Sequence, residues 1–403
     1  MTNQPSEDSR SGKYQGKFLK NPAAAAGAED GGKKRKSRRG LLALLILLLF
    51  AVRFGAEAAK ALTIADRYGN GARMLIYGDV SRVELGDAIR SNDGEKVIQI
   101  VDELPEDMDP EEEVIVRQDE GATLIYHGHT YRLNQNLATV LFLGVDKQFT
   151  EEDNLPGSGG QSDVLLLIGI DTKTGRGTIL NINRDTKAEV DEYTVGGSFN
   201  RTVLEQITLA YAYGDGHEKS CENTMTTVSR LLYSLPISTY VALDMEGVDA
   251  ANEAVGGVRV KSLLSFEQRD GTTVHEGDLI TLHGYSLNRY IRKRSQDVDA
   301  NVARMDRQKQ FVTEFTKTVI RQSKGDLTFP VDLFSALSPY MITDMELPDV
   351  TFLSSCFLQH GANFSFRSID GTYTTDSEGH SLFLPDEVDL FEAVLQVFYV
   401  QAD

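Results

Sequence analysis

The chain has 403 residues, 41% of them hydrophobic, and a formal charge of -19 at pH 7, enough apolar material for a large core with room for an accessory region. That acidic balance excludes a nucleic-acid partner for the bulk of the protein, so any bound anion must meet a local cluster of arginines. The two cysteines, Cys221 and Cys356, sit in no CxxC pair, which excludes zinc ribbons and thioredoxin-like redox sites. A disulfide between them stays open, because sequence does not show whether their backbones approach.

Residues 1–39 read as a disordered cytoplasmic tail that ends in the basic run "GGKKRKSRRG", and residues 40–62 read as a transmembrane helix. The apolar core "LLALLILLLFAV" is shorter than the about 20 residues a span wants. Arg53 can snorkel, however, and "FGAEAAKAL" can extend the helix. The basic flank then puts the N-terminus in the cytoplasm and the main domain outside a single-pass cell-membrane anchor. The alternative is a cleaved signal peptide, since "AEA" at 56–58 resembles a processing site.

Residues 63–132 carry the short strand candidates "RMLIYG", "KVIQIV", "EVIVRQ" and "TLIYHGHTYRL" around an acidic loop, the pattern of a small strand-rich accessory or stalk region. His127 and His129 flank a glycine with no third ligand nearby, which fits a hairpin turn better than a metal site. From "ATVLFLGVD" onward, long apolar strands alternate with helical patterns. The expectation for 133–330 is therefore an α/β domain with a mixed central sheet flanked by helices, completed by an extension over 331–403. In that extension "SIDGTYTTDSEGHSLFLPD" reads as a hairpin before a final helix.

Charge gathers at two places. "SDVLLLIGIDTKTGRGTILNINRD" reads as an antiparallel hairpin centred near Thr174, which would set Asp163 opposite Asp185 with Arg184 alongside. Farther on, Arg304, Gln308, Phe311 and Phe315 recur at helical spacing, a stripe that begins charged and ends apolar, with Arg307 on its edge. Arg292 and Arg294 stand two apart and would share one face of an extended segment. Arginine suits a pyrophosphate because its planar fork bonds two oxygens at once and stays charged. The segment "ENTMTTVSRLLYSLP" has helical spacing, with Met225, Val228, Leu231 and Leu232 as its apolar face and Pro236 as its stop.

In order along the chain, "FLGVD", "SDVLLLIGID", "INRDT", "ITLAYAYGDG", "YVALDMEGVDAANEAVGGVRV", "LHGYSLNRYIRKR" and "RMDRQKQF" resemble the LytR-CpsA-Psr family of bacterial cell-envelope proteins. The resemblance covers roughly residues 135–325. It implies a phosphotransferase that moves a glycopolymer from a polyprenyl-pyrophosphate carrier to peptidoglycan at the cytoplasmic membrane, with Mg2+ on the pyrophosphate. It implies metal-associated carboxylates at Asp146 and Asp163, and pyrophosphate contacts from Arg184, Arg292, Arg294, Arg304 and Gln308, with Arg307 as a helper. Asp185 would orient Arg184, and the catalytic set becomes Asp163, Arg184, Asp185, Arg292 and Arg294. The chain departs from the family pattern where Arg commonly precedes "SD" and Ser-Ile-Pro precedes "RDT"; it has Gln161 and Asn181-Ile182-Asn183 there, as in a divergent, clostridial-like branch.

Two rival readings remain. One is a non-catalytic scaffold that binds polyprenyl phosphate or wall polymer. The other is a hydrolase built on Cys221 with His217 in "GDGHEKSCENT", for which no framing signature is present. A phosphate loop of the GxxxxGK[ST] kind is also missing, as "GSGGQSD" lacks the lysine.

Overall fold

Apolar residues on both sides of a strand require cover on both faces of its sheet, and the runs "LATVLFLGV" and "SDVLLLIGID" form the centre of such a sheet. The computed structural model describes residues 83–104, 114–149, 159–293, 300–325, 336–345, 363–376 and 379–402, with a few single positions between 329 and 360. The candidate anchor at 40–62, the strand candidate "RMLIYG" and Arg294 lie outside the described residues.

Five short strands come first: β1 (Ala88–Arg90), β2 (Lys96–Val101), β3 (Val114–Gln118), β4 (Thr123–Tyr126) and β5 (His129–Leu133). They are followed by β6 (Leu137–Val145), β7 (Ser162–Asp171), β8 (Arg176–Ile182), β9 (Lys187–Tyr193), β10 (Phe199–Gln206), α1 (Glu218–Leu231) and β11 (Thr239–Asp244). Helix α2 (Met245–Ala254) leads to the small strands β12 (Val258–Lys261), β13 (Phe266–Glu267), β14 (Thr273–Val274) and β15 (Leu279–Leu282). Then come α3 (Gly284–Arg292), α4 (Ala300–Gly325), β16 (Met341–Thr343), β17 (Asn363–Ser368), β18 (Gly371–Thr375) and β19 (Ser381–Pro385). Helix α5 (Glu387–Phe398) and β20 (Tyr399–Gln401) close the chain.

The central sheet has the order β16-β11-β6-β7-β8-β17. Its β6/β11 and β8/β17 pairs are parallel and the others antiparallel, so it is mixed, as expected. Period-two alternation sorts its side chains into two cores. Val140, Leu166, Ile168 and Ile179 pack against Ala251 of α2, Leu287 of α3 and Phe311 of α4. Leu141, Leu165, Leu167 and Leu180 face the other way, onto Val228 of α1 and Phe391 of α5.

The first strands do not stand apart. Ile98, Ile115 and Leu124 belong to that second core, Tyr126 meets Phe391 edge-on with ring centroids 5.3 Å apart, and β20 pairs with β5. The strand-rich region expected before residue 133 is therefore held by the last residues of the chain and shares a core with the central sheet. His127 and Gly128 form the two-residue turn between β4 and β5, with φ of 49° and 74°, as primed hairpin turns require. The β18/β19 hairpin and α5 follow the sequence expectation. Among the described residues, no helix is long and apolar enough to cross a membrane.

Candidate functional site

Strands β7 and β8 pair with Leu165 opposite Ile182 and Leu166 opposite Asn181. Continued to the hairpin's open end, that register sets Asp163 against Arg184 and corrects the expected Asp163–Asp185 pairing by one residue. A slip of one exchanges faces, so Asp163 meets a cation in place of a second carboxylate. Arg184 Nη1 pairs with Asp163 Oδ1. Its Nη2 donates to Gln161 Oε1 at 2.7 Å, and its Nε lies 3.4 Å from Asp185 Oδ1. The Arg184 side chain is only 13% exposed, and these partners offset the cost of withdrawing its charge from water.

Asp185 is fixed from several sides. Its oxygen accepts from Gln206 Nε2 at 3.1 Å, its N–H donates to Asn183 Oδ1 at 3.1 Å, and its carbonyl accepts from the Phe383 N–H at 2.8 Å. It braces Arg184 from within the fold. Asp146, at the end of the "GVD" strand, is clasped by Gln161: the Asp146 N–H donates to the Gln161 carbonyl at 3.1 Å, and the Gln161 N–H donates to Asp146 Oδ1 at 2.6 Å. Gly160 permits this approach, with φ of 86° and space so tight that a Cβ would fall 2.6 Å from Lys147 Cβ. Gln161, noted in the sequence only as a departure, thus links Asp146 to Arg184.

Of these groups Asp146 and Asp163 line a chamber of about 320 Å3 between the central sheet and α2, α3 and α4, with Arg184 joined to it through Asp163. Phe142, Val164, Leu166 and Ile168 supply the sheet wall, and Val248, Ile291, Phe311 and Phe315 the helical wall. Asp146, Asp163, Arg292, Arg304, Gln308 and Thr316 are its polar lining. The stripe Arg304, Gln308, Phe311, Phe315 therefore faces one cavity, charged end first, as its spacing predicts. The α2 contribution had no such signal, because Met245, Val248 and Ala251 look like ordinary core residues until the fold leaves space in front of them.

Two arginines behave differently from expectation. Arg292 is the last residue of α3 and not part of an extended segment; its partner in that reading, Arg294, is outside the described residues. Arg307 is buried, and its guanidinium donates to the carbonyls of Tyr290 at 2.6 Å, Ala303 at 2.9 Å and Lys293. Two of these lie at the end of α3, where helical carbonyls lack intrahelical partners, so Arg307 ties α4 to α3 and does not line the chamber.

The Cys221/His217 pair is elsewhere. Cys221 is fully buried in α1, on the opposite core, and His217 is that helix's N-cap. Burial pushes the thiol's pKa well above its usual value, which suppresses the nucleophilic thiolate. Cys221 and Cys356 are both free and buried. Cys221→Ser is expected to leave activity at the chamber mouth within about three-fold, where losing a nucleophile costs orders of magnitude. Timed alkylation of the native protein should find the thiol protected.

The LytR_cpsA_psr family model matches residues 105–396. The polyisoprenyl-teichoic acid–peptidoglycan teichoic acid transferase TagU of Halalkalibacterium halodurans is 30% identical over 255 residues, covering 63% of this chain and 76% of that protein. The same-named protein of Enterococcus faecalis is 27% identical over 255 residues, covering 63% and 74%. Among solved structures, protein gbs0355 of Streptococcus agalactiae matches with a TM-score of 0.52 at 21% identity, over 65% of this chain and 86% of that one, a likeness of fold. The matched span runs from the first sheet to α5 and encloses the chamber with its polar mouth: the chain belongs to the LytR_cpsA_psr family.

Proposed function

We propose that the protein is a membrane-anchored phosphotransferase that moves a glycopolymer from a polyprenyl-pyrophosphate carrier onto peptidoglycan. The observation that carries this reading is an apolar chamber whose mouth is lined by Arg292, Arg304, Asp146 and Asp163, with Arg184 paired to Asp163. An isoprenoid tail is apolar and its diphosphate is a compact polyanion, so one molecule complements both parts. The names of the TagU relatives point the same way.

In the proposed step an acceptor hydroxyl oxygen forms a bond to the phosphorus that bears the glycan. The bond from that phosphorus to the polyprenyl phosphate breaks, polyprenyl phosphate leaves, and the hydroxyl proton passes to a carboxylate or to solvent. Such a reaction needs alignment and charge neutralisation more than a protein nucleophile. Arg184, Arg292 and Arg304 would bind and orient the diphosphate, with Gln308 as a polar contact and Asp185 bracing Arg184. Arg294 is proposed alongside Arg292 on its place in the sequence alone.

Mg2+ is the proposed cofactor. It favours oxygen ligands, usually one or two carboxylates completed by phosphates and water, and Asp146 and Asp163 offer oxygen donors of that kind at one mouth. When bound, Mg2+ would neutralise charge on the diphosphate.

The test is turnover by the full chain in detergent, with a short-chain polyprenyl-diphosphate glycan as donor and peptidoglycan oligomers as acceptor. Transfer is expected. Tight donor binding with neither transfer nor hydrolysis, across acceptors and divalent metals, would mean a scaffold. For topology, a reporter fused after Asp403 is expected to be active only outside the cytoplasmic membrane, as the basic run before residue 40 dictates; activity inside would reverse the orientation.

A further inference from the structure

Strand β9 begins two residues after Asp185 and forms with β10 a two-stranded sheet of its own. The tip of such a hairpin is a surface turn and is ordinarily polar. This one is apolar. Between Glu192 and Arg201 the eight residues "YTVGGSFN" carry no charge, and at the turn Val195 is 75% exposed and Phe199 59%. Val195 is the most exposed large hydrophobic side chain among the described residues.

The tip is an ordered turn. The N–H groups of Thr194 and Gly197 donate to the carbonyls of Ser198 and Thr194, each at 2.8 Å, and Gly197 supplies the φ of 76° that the turn needs. The Phe199 ring meets Tyr193 edge-on with centroids 6.3 Å apart. Lys219 Nζ lies 5.4 Å from the centre of the Tyr193 ring. Farther in along the hairpin, exposed Arg201 pairs with Glu192 at 2.6 Å, and Lys219 pairs with Glu222 at 3.4 Å, so each acid beside the tip is matched by a cation. Apolar side chains stand outermost, with an aromatic ring and two cations behind them. That is the order in which a protein meets acyl chains and then headgroups.

An aromatic side chain buries at most about 250 Å2, and each partner in a stable protein complex gives about 800 Å2. One phenylalanine, one valine and a half-buried tyrosine fall well short of that area. A bilayer demands no matching surface, since each apolar side chain that enters it contributes by itself. We infer that the β9/β10 tip dips into the lipid bilayer, with Val195 and Phe199 among the acyl chains and Arg201 and Lys219 at the headgroups. The inference rests on the membrane-anchored reading, because so small a tip orients a chain that another segment holds. Strand β9 is then a strut of roughly 20 Å between the bilayer and the Arg184–Asp185 corner at its base.

The chain contains no tryptophan, so a single one introduced by substitution reports only its own surroundings. The full chain carrying Phe199→Trp or Val195→Trp is reconstituted into phosphatidylcholine–phosphatidylglycerol vesicles with and without bromine on the acyl chains. Flotation verifies that the vesicles hold it, and melting curves verify folding. Bromine is expected to remove at least about half of the emission at both tip positions, as for side chains below the headgroups. Leu204 is as exposed as Phe199 but lies roughly 15 Å nearer the base of the hairpin, so Leu204→Trp should lose less than about a tenth. The contact is overturned if the protein floats and both tip tryptophans keep their emission, or if Leu204→Trp is quenched as strongly as they are. A tip emission that shifts with protein concentration and ignores bromine would put a second copy there and overturn it equally. A chain that does not float at all overturns the anchored reading, and the tip contact with it. Quenching at the tip in a protein that transfers no glycan would retain the contact and sink the transfer reading.

Discussion

Asp163→Ala is expected to lower turnover by at least about a hundred-fold while donor affinity changes by only a few-fold, the pattern of an interaction used in the reaction more than in binding. The proposed role of this carboxylate is to hold the metal, and the arginines would still grip the diphosphate without it. Removing Asp163 does not strand a buried cation, because Arg184 keeps Asp185 at 3.4 Å and Gln161 at 2.7 Å. The variant should therefore fold, and a near-normal melting temperature checks that. Added Mg2+ should recover little, since a ligand is missing and not merely weakened. Turnover equal to wild type in the folded variant would remove Asp163 from the mechanism.

Arg184→Ala should weaken binding of a polyprenyl diphosphate by about 1.5–3 kcal/mol, the range for charge-assisted hydrogen bonds, and reduce transfer at least as much. The guanidinium sits among Asp163, Gln161 and Asp185, so its planar fork is already oriented by three acceptors. Arg184→Lys should not restore activity, because an ammonium lacks that geometry. The alanine variant also leaves Asp163 and Asp185 without the cation between them, so a lower melting temperature is expected, and affinity is read from titration below the new transition. Unchanged donor affinity in folded Arg184→Ala would place the diphosphate elsewhere.

Much of this molecule was legible in one dimension because helices and strands repeat locally. The stripe from Arg304 to Phe315 gave one face of α4, and the runs "SDVLLLIGID" and "RGTILNI" gave a buried hairpin with charge at its open end. Those periods depend only on near neighbours along the chain.

Tertiary structure decided what periodicity leaves undetermined. Asp163 faces Arg184 because the two strands pair one residue out of the register suggested by their turn. Arg307 bonds backbone carbonyls of α3 and its own helix, while Arg304, one turn earlier, faces the chamber. The two share a chemistry, and only the packing angle between helices assigns each its partner. The pairing of β5 with β20 joins segments more than two hundred residues apart, and Asp249 meets Asn288 across two helices. The sequence by itself therefore determined the elements and the supply of arginines and carboxylates; the fold alone decided which of them converge, since contacts between distant segments follow from how the cores close and leave no local pattern.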